Sequence, residues 1–94
     1  MNIDELEAAI YQSFRHLATF PDVKAGDVKR WFGWLKDNLG PEASSMKKGE
    51  RDAWEFDATG RWCEACSADY TSRSGYGFRF RELSDAVLFK LNCG

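Results

Sequence analysis

The stretch Trp54-Glu55-Phe56-Asp57-Ala58-Thr59-Gly60-Arg61-Trp62-Cys63-Glu64 and its continuation Tyr70-Thr71-Ser72-Arg73-Ser74-Gly75-Tyr76-Gly77-Phe78-Arg79-Phe80 decide the fold. Gly60 follows Ala58-Thr59 and Gly75 follows Arg73-Ser74, which is where a three-residue hairpin loop needs a left-handed residue. If both glycines close such loops, the first bend sets Asp57 opposite Arg61, Phe56 opposite Trp62 and Trp54 opposite Glu64. The second sets Tyr70 opposite Phe78, Asp69 opposite Arg79 and Ala68 opposite Phe80. Rings meet rings and acids meet arginines at both bends, an agreement that a one-residue slip would destroy.

The result is a three-stranded antiparallel meander with two unlike faces. One carries Trp54, Phe56, Trp62, Cys66, Ala68, Tyr70, Tyr76, Phe78 and Phe80, with Glu64 as its one charged intruder, and is expected to face the core. The other carries Glu55, Asp57, Arg61, Cys63, Ala65, Ser67, Asp69, Arg79 and Arg81 and is expected to be solvated or to dock a partner. A helix through Trp54, Ala58, Trp62 and Ala65 is the competing reading. It would carry Gly60 in its middle at a cost of about 1 kcal/mol and leave the acid–arginine pairing unexplained, so it takes second place.

Upstream, Ile3, Leu6, Ile10, Phe14 and Leu17 recur at helical spacing after Asn2, a suitable N-cap. Val28, Trp31, Phe32, Leu35 and Leu39 repeat the pattern until Gly40-Pro41 stops it. Two helices joined through Pro21 are expected to pair antiparallel, with Trp34 at the core edge. Residues 42–51 are polar and small and read as a loop. Ser84-Asp85 resembles a helix start with Val87, Leu88 and Leu91 expected as its buried face, although Val87, Phe89, Leu91 and Cys93 also alternate as in an edge strand. The expected fold is therefore α+β: two N-terminal helices packed on one face of a three-stranded antiparallel meander, then a short C-terminal helix or, in second place, a fourth strand.

Ninety-four residues allow a single domain, and 44% apolar content with fourteen aromatic rings is enough for a core without disulfides. Thirteen basic against fifteen acidic residues give a net charge of -2, so bulk electrostatics points to no nucleic-acid partner. The start is acidic where a secretory signal needs positive charge, and no apolar run is long enough for a membrane span, so a cytoplasmic location is expected. Cys63, Cys66 and Cys93 are an odd number without an export signal and are expected to be reduced.

Three motifs compete for chemistry. Trp62-Cys63-Glu64-Ala65-Cys66 resembles the WCxxC of thioredoxin-like oxidoreductases, which implies a helix N-terminus that lowers a thiol pKa. That family also needs a helix straight after the second cysteine and a proline downstream, whereas Pro21 and Pro41 both lie upstream. Cys63, Cys66 and Cys93 with His16 would make an acceptable zinc set, yet residues three apart on a strand point to opposite faces. Gly75-Tyr76-Gly77-Phe78 is similar to the aromatic string of RNA-recognition motifs, which implies bases stacked on Tyr76 and Phe78. Arg79 follows where that family has an apolar core residue, so sheet core is preferred.

With no phosphate loop and no nucleophile–His–acid set, no catalytic residue, metal or cofactor is assigned, and a non-enzymatic protein-binding module is expected. Its surface would be Glu55, Asp57, Cys63, Ala65, Ser67, Arg79 and Arg81, a strip of small residues flanked by charges of both signs. Size and style suit a small inhibitor or accessory protein of a phage or mobile element that occludes a host factor. The alternatives are a single-stranded nucleic-acid binder using Tyr76, Phe78, Arg73, Arg79 and Arg81, and a small zinc or thiol-redox protein. An unpaired sheet edge leaves room for a homodimer.

Overall fold

Asn2 begins the first helix as its side chain predicts: Oδ1 accepts the Glu5 N–H at 2.9 Å, ahead of α1 (Ile3–Ser13). The computed structural model describes residues 2–48, 53–57, 59–65 and 75–94 and has an α+β fold. After α1 come β1 (His16–Phe20), α2 (Asp27–Leu39), β2 (Ser44–Lys48), β3 (Ala53–Asp57), β4 (Trp62–Glu64), β5 (Tyr76–Phe80) and α3 (Leu83–Cys93).

The N-terminal half departs from the expected helix pair. The apolar stripe of α1 runs on to Leu17 in sequence, but the helix ends at Ser13 and residues 16–20 are a strand. Backbone pairing explains the change, because β1 lies antiparallel to β5 from His16↔Phe80 to Phe20↔Tyr76. Ala18 and Phe20 then enter the core at period two, ahead of Pro21. Packing against the rest of the chain thus overrides the local helical period. α2 ends where Gly40 takes a φ of 86°, as expected of its Gly-Pro stop.

The sheet order is β1–β5–β4, with β2 and β3 in a separate two-stranded ribbon. Strand β5 is therefore central, and among the described residues β3 pairs with β2 and not, as expected, with β4. Two features explain this. Ser44–Lys48, read as loop, is a strand that pairs with β3 from Ser44↔Asp57 to Lys48↔Ala53. The edge of β4 where β3 was expected is taken by residues 42–43: the Ala43 N–H donates to the Trp62 carbonyl at 2.9 Å, and a Glu42 carboxylate oxygen accepts the Glu64 N–H at 2.8 Å. Gly60 makes the approach possible through its missing side chain and not through a left-handed backbone, since a Cβ there would stand 2.5 Å from the Ala43 nitrogen.

Strands β4 and β5 do pair, in the register Trp62↔Phe80, Cys63↔Arg79 and Glu64↔Phe78. Relative to the expected register the strand has slid by an even number of residues, so every side chain keeps its face. Trp62, Phe78 and Phe80 are fully buried under α2 and α3 with Trp31, Leu35 and Phe89. Rings dominate this core: Phe20 stacks on Trp31 at 4.1 Å, and Phe78 takes Phe32 and Phe89 edge-on at 5.2 and 5.4 Å. Trp34 packs at the edge of this core, as expected. Residues 83–93 are helical, but the buried face is Asp85, Ala86, Phe89 and Cys93, and the expected Val87, Leu88 and Leu91 are exposed, because the helix packs on the aromatic core through its other side.

The opposite face was expected to be open and is covered. Ile10 and Phe14 of α1 pack with Ala43, Phe56 and Cys63 in a second, smaller core. The two N-terminal helices thus lie on opposite sides of the sheet and not together on one. No helix among the described residues is long and apolar enough to cross a membrane.

Candidate functional site

The covering of the second face relocates the residues expected to bind a partner. Cys63 and Ala65 are 5% exposed, and Arg79 is 7% exposed. The Arg79 guanidinium sits 4.5 Å from the centre of the Tyr11 ring, and its Nε donates to the Phe14 carbonyl at 2.7 Å. Arg81 is half-buried, 5.0 Å from the Phe14 ring, and donates to the Gly60 carbonyl at 3.1 Å. Both arginines therefore fasten α1 and the 60–61 turn to the sheet and do not reach outward for a partner. Glu55 is exposed on β3, Asp57 pairs with Ser44 in the β2–β3 ribbon, and Ser67 lies outside the described residues. The expected strip is not assembled as one open surface.

The residues named for other chemistry are also separated. Cys63 belongs to the small core beneath α1 and Cys93 to the aromatic core beneath α2, on opposite faces of the sheet. His16 lies on β1, and Cys66 and Arg73 lie outside the described residues. Burial pushes the Cys93 thiol pKa up, the reverse of what a reactive thiolate needs. Phe78 is fully buried, and Tyr76 packs against Trp31 and Phe32, so the ring platform a nucleic-acid base would use is closed by α2.

What the fold does assemble is a cavity of about 240 Å³ between α1 and the edge of β4. Its apolar lining is Ile10, Tyr11, Ala43, Phe56, Cys63 and Ala65, and Glu7, Glu42 and Glu64 add three carboxyl-bearing residues. Helical spacing sets Glu7 one turn before Ile10 and Tyr11 on α1. Chain crossing sets Glu42, because Ala43 is tied to Trp62 and carries its neighbour onto the β4 edge. Glu64 is placed by β4 itself, with its carboxylate accepting the Tyr76 hydroxyl at 2.5 Å.

Glu42 is the electrostatically strained group of this cavity, although Lys36 and the Arg79 guanidinium over the Tyr11 ring bring positive charge to its surroundings. Burial pushes the Glu42 carboxyl above the ordinary carboxylate range, and the neighbouring Glu64 charge pushes the same way. The Glu64 N–H and Lys36 oppose the shift without cancelling it. An ionised Glu42 is thus held at a cost that a positive charge in the cavity would relieve. Glu64 borders the cavity from the β4 edge, but its side chain is on the aromatic face with Tyr76, so its place among the rings gave no clue to this site. Glu7 and Glu42 gave none either, since only tertiary packing brings them to β4. Comparison with family models, curated proteins and solved structures finds no match for this chain.

Proposed function

We propose that the chain is a non-enzymatic protein-binding module that seats a basic side chain of its partner in the cavity between α1 and β4. The observation that carries this reading is the pairing of an apolar lining, including the Tyr11 and Phe56 rings, with Glu7 and Glu42 at one concavity. A lysine or arginine has the matching build: an apolar stem for the walls and a cationic head for the carboxylates. The volume suits a single side chain, being below the roughly 300–1,000 Å³ of small-molecule and cofactor sites. The partner would be held and occluded, as an inhibitor or accessory protein holds its target.

The test uses two short peptides, one with a central arginine and one with norleucine in its place, titrated into the isotopically labelled protein. Amide shifts at Ile10, Tyr11, Ala43 and Glu64 with the arginine peptide, absent with norleucine and lost in a Glu7→Gln, Glu42→Gln double variant, would support the reading. Equal shifts with both peptides, or none with either, would end it.

A further inference from the structure

Helix α3 is anchored on one side and bare on the next. Ala86, Phe89 and Cys93 enter the aromatic core, and Asp85 is held by Arg61 through contacts of 3.0 and 2.6 Å. Leu83, Val87 and Leu91 recur every fourth residue beside this anchored side and are 59%, 50% and 77% exposed. They border a shallow groove completed by Leu17 and Ala18 of β1. Lys90 fixes the groove wall, with Nζ donating to the Thr19 carbonyl at 2.8 Å and lying 4.0 Å from the Phe20 ring centre.

We infer that this stripe docks a second copy of the chain, α3 against α3, antiparallel about a two-fold axis passing beside Val87. The order of residues along the helix is what selects this occupant. Leu83 and Leu91 stand four residues on either side of Val87, so the two-fold sets Leu83 against the partner's Leu91 and Val87 against the partner's Val87. No charge on the stripe meets its own copy. The antiparallel arrangement also brings the exposed Glu82, which precedes the first turn, towards the last turn of the other copy, which carries Lys90. Parallel packing would set like ends together. This surface and the acid-lined cavity lie on opposite sides of the sheet, so the dimer leaves both cavities open and does not depend on the function proposed for them.

Three apolar residues on each side make a small interface, so the dimer should be weak, with a dissociation constant on the order of 10–100 µM. Sedimentation equilibrium across roughly 5–500 µM should show the mass rising from one chain to two, and Leu91→Lys should remain a monomer throughout. A wild-type chain that stays monomeric at the top concentration, or a Leu91→Lys variant that dimerises equally well, overturns the inference. Cross-linking tests the axis itself. Under mild oxidation Val87→Cys should give a covalent dimer beyond any wild-type background, whereas Leu83→Cys alone should not, because the two copies of residue 83 would be roughly 12 Å apart along the helices. Combining Leu83→Cys with Leu91→Cys should restore the cross-link. Equal cross-linking of the two single variants would refute this packing.

Discussion

The Nε of Arg79 donates to the carbonyl oxygen of Phe14 at 2.7 Å, joining residues 65 apart in sequence at the point where α1 gives way to β1. The bond lies in the interior, and the same guanidinium covers the Tyr11 ring one turn earlier on the helix. A cation at the C-terminal end of a helix also meets the partial negative charge of the last carbonyls. Arg79 thus does for the second face of the sheet what an apolar side chain does for the first: it holds a helix down.

Replacing Arg79 by Met keeps most of the volume and deletes the donor and the charge. The Phe14 carbonyl then loses this donor, and the contact with Tyr11 loses its cation. The expected loss is about 2 kcal/mol of unfolding free energy, read from urea denaturation. Amide exchange should speed up at Ile10, Tyr11 and Phe14 while α2 keeps its protection. A variant within about 0.5 kcal/mol of wild type, as expected of a surface residue, would show that the arginine fastens nothing.

That burial was not legible in the sequence, although its parity was. Trp62, Phe78 and Phe80 could be assigned to the core face because ring-to-ring and acid-to-arginine agreement depends only on odd and even positions, which survive the slide of β4 along β5. The same alternation says nothing about what lies above the other face. Arg79 and Cys63 looked open because a charged residue beside small ones usually borders water, and the helix that covers them was expected on the far side. β1 was hidden for a related reason. Phe14 and Leu17 extend the helical period of α1, and only the pairing with β5 makes His16–Phe20 extended. The cavity was the least legible of all, since Glu7, Glu42 and Glu64 come from three elements with no shared spacing.

Glu42 gives the fold a pH dependence of definite sign. Its carboxyl titrates above the ordinary carboxylate value of 4.5 in the folded protein, chiefly through burial. A raised acid favours the folded state while protonated and withdraws that contribution as pH climbs from the unfolded value through the folded one. Glu42→Gln keeps an oxygen for the Glu64 N–H and removes the charge. The variant should therefore melt above wild type near neutral pH, with the gap narrowing as pH falls and closing below about 4.5. A gap that stays constant across this range, measured by thermal melts in a buffer series, would show that burial does not penalise the Glu42 charge.

Gly60 and Gly33 make a paired experiment on the crossing that builds the cavity. A Cβ at Gly60 would meet the Ala43 nitrogen at 2.5 Å and its Cα at 2.9 Å, both backbone atoms that cannot rotate aside. At Gly33, inside α2, a Cβ meets nothing within 4 Å. Gly60→Ala must therefore push residues 42–43 off the edge of β4, weakening the Ala43–Trp62 bond and displacing Glu42 from the Glu64 N–H. The expected cost is about 1–3 kcal/mol, as for other overpacked sites. Gly33→Ala should instead stabilise by up to about 1 kcal/mol through the better helix propensity of alanine. Opposite signs in denaturant midpoints are the required result. If both substitutions move the midpoint the same way, the close passage of residues 42–43 over residue 60 is not what seats Glu42 at the strand edge.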